Sequence, residues 1–89
     1  MNVRDRVKLV LFNGSRVAPN GTLEHEDYWK LLDSVGIVLC IDPTKGDKVA
    51  SEFARVLVKF DQDLTSMQLE NHNEIVNSLW IAISDLKRT

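Results

Sequence analysis

The groups best equipped for chemistry in this sequence are His25, His72 and Cys40, each in a different setting. His25 stands among Glu24, Glu26 and Asp27, and His72 between Glu70 and Glu74. Imidazole and carboxylate bind metals and exchange protons, but a site needs donors that converge on one point. Immediate chain neighbours rarely do so, and neither histidine has the paired cysteines of a zinc motif. Both are therefore expected to be exposed loop histidines, with no metal and no cofactor. Cys40 has no second cysteine to pair with and lies inside an apolar run, so it is expected to be a small buried hydrophobe. No basic neighbour in sequence would lower its pKa. Ser15, Ser34, Ser51, Ser66, Ser78 and Ser84 are scattered outside any Gly-x-Ser-x-Gly elbow. Asn13-Gly14-Ser15 lacks the lysine of a phosphate-cradling loop. Nothing here predicts an enzyme.

Recognition chemistry is better represented. Glu24, Glu26, Asp27 and Asp33, with only Lys30 among them, make an acidic patch beside the aromatic pair Tyr28 and Trp29. An aromatic anchor ringed by carboxylates suits docking on a basic protein, because charge pairing raises association rate and selectivity. A second cluster, Asn71, His72 and Asn73, precedes Asn77 and Ser78. Such side chains commonly bond their own backbone and give a loop a fixed shape, with a recognition surface as the competing role. Trp80 alternates with Leu79 and Ile81, so it points away from both and is either an exposed anchor or covered by the preceding loop.

The elements that must position these groups are mostly strands. Residues 35–42, 54–61 and 77–84 alternate, are rich in β-branched or aromatic side chains, and end at turn formers. Residues 4–12 read as a first strand with Val7, Leu9 and Leu11 on one face. Asn-Gly pairs at 13–14 and 20–21 make 13–21 a loop, and the first of them ends the strand without building a hairpin. Residues 22–33 are open to two readings, one or two helical turns capped by Thr22 or an extended arm, with the turns favoured. Gly36 marks a bulge or a close backbone approach. The next strand is apolar on both faces, hence central. Asp42 to Asp47 is a turn, Lys48 to Phe53 carries the chain back, and 62–77 is the longest irregular connection. Ser84-Asp85-Leu86 is a tight turn that returns Leu86 to the core, followed by a polar end.

Composition sets the frame. At 89 residues the chain is one domain, and one this small buries only about 60% of its unfolded surface. No apolar run approaches the ~20 residues that cross a bilayer, and no signal core follows Met1, so a cytoplasmic product is expected. A net charge of −2 with a pI of about 5.6 argues against a large polyphosphate footprint.

Gly36-Ile37-Val38 opening a strand, Val56-Leu57-Val58-Lys59-Phe60-Asp61, Leu79-Trp80-Ile81 and the closing Asp85-Leu86 resemble, in that order, the small SH3-like barrels. The photosystem I small stromal subunit and the KOW-type domains are similar in this respect, over roughly residues 28–87. The resemblance implies a mainly β fold, a small antiparallel barrel of about five strands with a short helical turn near 23–33, and no particular function. The basic surface of KOW-type RNA binders is missing. The leading expectation is a non-enzymatic protein-binding module, in its concrete form an inhibitor such as a toxin-immunity protein that masks a basic surface. The alternatives are a nucleic-acid-binding barrel using Arg55, Lys59, Lys87 and Arg88, or a structural subunit of a larger complex.

Overall fold

Five antiparallel strands form one sheet: β1 (Arg6–Leu9), β2 (Val35–Asp42), β3 (Arg55–Phe60), β4 (Ser78–Ala82) and β5 (Leu86–Arg88). The computed structural model describes residues 1–42, 54–71 and 73–89. The expected turn after Asp42, the return segment Lys48 to Phe53 and His72 lie outside the described residues. The strands are ordered β4-β3-β2-β1-β5, which puts β2 in the centre as its two apolar faces require, with β4 and β5 at the edges. No helix of the described residues is long and apolar enough to cross a membrane.

One face of the sheet carries the core. Val7 and Leu9 of β1, Val38 of β2, Val56, Val58 and Phe60 of β3, and Leu79 and Ile81 of β4 are all buried in it. Leu31 from the β1–β2 connection and Leu64 from the β3–β4 connection complete it, both fully buried. Gly36 allows β2 and β3 to approach: a Cβ there would stand 2.6 Å from the Lys59 carbonyl oxygen.

Three local expectations are corrected. Between Val38 and Cys40 the β2–β3 register shifts, so that Leu39 is an extra residue. The bulge changes parity: Cys40 pairs with Leu57 on the outer face and is exposed, where unbroken alternation would have buried it with Val38. β1 stops at Leu9 because the next two amides, Val10 and Leu11, both donate to the Asp85 carbonyl and bend the chain away. The polar end is a strand, β5, in which Leu86 lies opposite Leu9 and Lys87 opposite Lys8. The tight turn before it is a 3-10 turn over Ile83–Asp85, and Leu86 is buried as expected.

Candidate functional site

The β1–β2 connection, residues 10–34, is built outward from aromatic packing. Asn13 and Gly14 both take positive φ, 50° and 77°, and close a two-residue turn with one bridge, Phe12 to Ser15. No strand continues beyond it. The Gly14 amide donates to Asp85 Oδ1 at 3.1 Å, which ties the turn to the far end of the sheet. Residues 22–33 form two short 3-10 turns, Glu24–Glu26 and Tyr28–Leu31. Thr22 caps neither; its hydroxyl donates to the Pro19 carbonyl. Phe12 packs tilted on Tyr28, with ring centroids 5.6 Å apart, and edge-on to Trp29 at 4.8 Å.

Tyr28 and Trp29 divide as adjacent residues of a tight turn must. Tyr28 is buried, so its expected role as a contact anchor is corrected: the ring belongs to the core, and its hydroxyl donates to the Glu70 carbonyl at 2.9 Å. Burial, reinforced by the nearby Glu70 and Glu26 carboxylates, raises its pKa above the ordinary value. Trp29 stays partly exposed, with its indole N–H donated to the Ser15 carbonyl at 3.2 Å. Asp27 is half-buried, and its Oδ1 is enclosed with no hydrogen-bond partner among the described residues, so it is less available for pairing than expected.

Glu24 and Glu26 are exposed, as expected. Folding adds a carboxylate from far along the chain that sequence spacing could not supply. The Glu70 amide donates to the His25 carbonyl at 3.0 Å, and His25 Nε2 lies 3.7 Å from Glu70 Oε1. Ligand atoms of His25, Glu26 and Glu70 fall within 4.8 Å of one another. These three could approach a divalent cation, but all are exposed and a metal bond needs about 2.0–2.2 Å. Arg16 braces the other end of the arm, donating to the Val10 carbonyl at 2.8 Å and to Asp33 at 3.0 Å.

Asn71 and Asn73 are engaged within their own loop. Asn71 Oδ1 accepts from the Asn77 amide at 2.9 Å, Asn73 Nδ2 donates to the Ser78 carbonyl at 2.7 Å, and Asn77 Oδ1 accepts from the Leu64 amide at 2.9 Å. The shape-giving role is the one these bonds perform. Trp80 belongs to a different surface from the arm. It lies opposite Leu57 on the outer face and is partly exposed, whereas Phe12 and Tyr28 pack against the core face.

Two of the four cations considered for nucleic acid are already engaged. Arg88 contacts Asp5 at 3.3 Å, and Arg55 Nη1 donates to the Trp80 carbonyl at 3.4 Å. Arg55 also lines an open cleft with Asn13, Gly14, Ala82, Ser84 and Asp85. Lys59 and Lys87 are exposed. No protein-family model, curated protein or solved structure matches the chain.

Proposed function

We propose that this chain is a small cytoplasmic, non-enzymatic module that docks on a basic surface of another protein through its β1–β2 arm. In the most concrete form it is an inhibitor or immunity-type protein that covers a basic active site. The observation that carries this reading is the setting of Trp29. Its ring is held edge-on by Phe12 and its N–H by Ser15, on an arm rooted through buried Tyr28 and Leu31. An indole fixed in advance loses little freedom on binding, which is what an interface anchor needs. Glu24, Glu26 and Glu70 on the same arm and its neighbouring loop are acceptors only, suited to Lys and Arg of a partner and to steering its approach. Val17 and Leu23, exposed on the same connection, add apolar contact area. The SH3-like reading is supported by the strand order, in which a 3-10 turn leads into a last strand that pairs back on the first.

The test uses the immobilised chain and the protein encoded beside it, with affinity and association rate both read from surface plasmon resonance. Trp29→Ala should weaken the complex about 30-fold, the loss of a hot-spot side chain. Glu24→Lys with Glu26→Lys should slow association and remove its salt dependence. No complex, or a complex indifferent to both changes, would end this reading.

A further inference from the structure

The outer face of the sheet has a charge pattern opposite to that of the arm. Lys8 on β1 is directly opposite Lys87 on β5. Arg6, two residues from Lys8, shares its face and lies opposite Ile37, which lies opposite Lys59 on β3. Leu57, two residues from Lys59, lies opposite Trp80 on β4. Strands are about 4.8 Å apart and alternate residues about 6.8 Å apart along a strand. The cations therefore step across the sheet at intervals of roughly 5–10 Å and end beside a partly exposed indole.

Two features of this row call for an anion. Like charges directly opposite in a sheet are destabilising, yet Lys8 and Lys87 face each other. Among the described residues, Lys8, Lys59 and Lys87 also have no acidic partner; the one carboxylate in the row, Asp61, is taken by Arg6 at 2.6 Å. We propose that this face binds a single strand of nucleic acid, with phosphates on Lys87, Lys8 and Lys59 and a base stacked on Trp80. The spacing suits an extended strand, whose phosphates recur at about 3.4 Å when stacked and more when stretched. A line of cations ending on an aromatic ring is the arrangement that holds single strands without reading sequence. A bilayer fits less well: of the exposed large apolar residues only Ile41 lies on a strand, where it pairs with core-facing Val56, while Val3, Val17, Leu23, Ile75 and Val76 lie outside the strands.

The experiment is fluorescence anisotropy of labelled dT12 and rU12 with the full chain at 50 and 200 mM salt. Three phosphate contacts predict a fall in affinity of about 20-fold over that range. Lys59→Gln should lower the slope of log affinity against log salt by about 0.7, and Lys8→Gln with Lys87→Gln by about twice that. The double variant should melt no lower than the parent, since it relieves a repulsion, which separates lost binding from lost folding. In a Trp29→Phe background Trp80 is the sole indole, and its emission should be quenched by the oligonucleotide. Glu26→Gln should leave oligonucleotide affinity within about twofold, so failure of this proposal and failure of the docking arm are read separately. Three results would overturn it. These are no anisotropy change at 50 mM salt, binding that ignores the lysine substitutions, or binding of phosphatidylserine vesicles or polyglutamate in place of the oligonucleotides.

Discussion

The two long connections among the described residues use their polar side chains differently. Within residues 62–77, Asp63, Asn71, Asn73 and Asn77 each bond atoms of the loop or its immediate end. Residues 10–34 are rooted instead by rings and a leucine, and leave Glu24 and Glu26 in water. Both connections place a fully buried leucine in the same core, Leu31 from one and Leu64 from the other. Equal anchorage with unequal use of polar groups separates a segment shaped by its own side chains, which lends the arm Glu70, from one that carries Glu24 and Glu26 outward.

The sharpest way to break this comparison is at the shared anchors. Leu31→Ala and Leu64→Ala should each cost about 3 kcal/mol in urea or thermal unfolding, a large share of what so small a domain has. A much smaller cost at one of them would show that its connection is not rooted as described. Next comes Asn77, which has φ 63° and accepts the Leu64 amide. Asn77→Ala should cost about 2 kcal/mol, with Asn77→Gly recovering the backbone part but not the hydrogen bond. The matching arm change, Glu26→Gln, should stay within about 0.5 kcal/mol.

Tyr28 joins the two regions through Glu70, and Tyr28→Phe should cost about 1 kcal/mol. As the only tyrosine, its titration is read directly from phenolate absorbance and should lie above about 10. Glu70→Gln should bring it down. Because the folded value exceeds the unfolded one, this contribution is whole below pH about 10 and is lost as pH rises through the folded value. The smallest effect belongs to Asp61, whose pKa Arg6 lowers by hydrogen bonding and charge. A lowered carboxylate stabilises above its unfolded value of about 3.9 and ceases to as pH falls through the folded one. Arg6→Gln should therefore flatten the acid limb below pH about 4, slightly and less so in salt, because the pair is exposed.

How much of this was legible depends on whether the signal was local. β2, β3 and β4 announce themselves by alternation, and Val56, Val58 and Phe60 share the core as that alternation requires. β5 was not legible, since three residues that alternate only once carry no periodic signal; it exists because Leu86 meets Leu9. Of the arm, Glu24, Glu26 and Trp29 could be read from residue type, but the burial of Tyr28 and the arrival of Glu70 depend on contacts 42 residues apart in sequence. A net charge of −2 also averaged two unlike surfaces. Only strand register shows that Lys8, Lys59 and Lys87 share one face while the carboxylates of 24–27 sit elsewhere.

The extra residue at Leu39 has a practical corollary. By rotating Cys40 outward it gives the protein one solvent-facing thiol, a strand away from Leu57 and two from Trp80. A maleimide dye attached there would report on events at that surface from a single known position. The same thiol would let two molecules crosslink through those surfaces if the medium became oxidising.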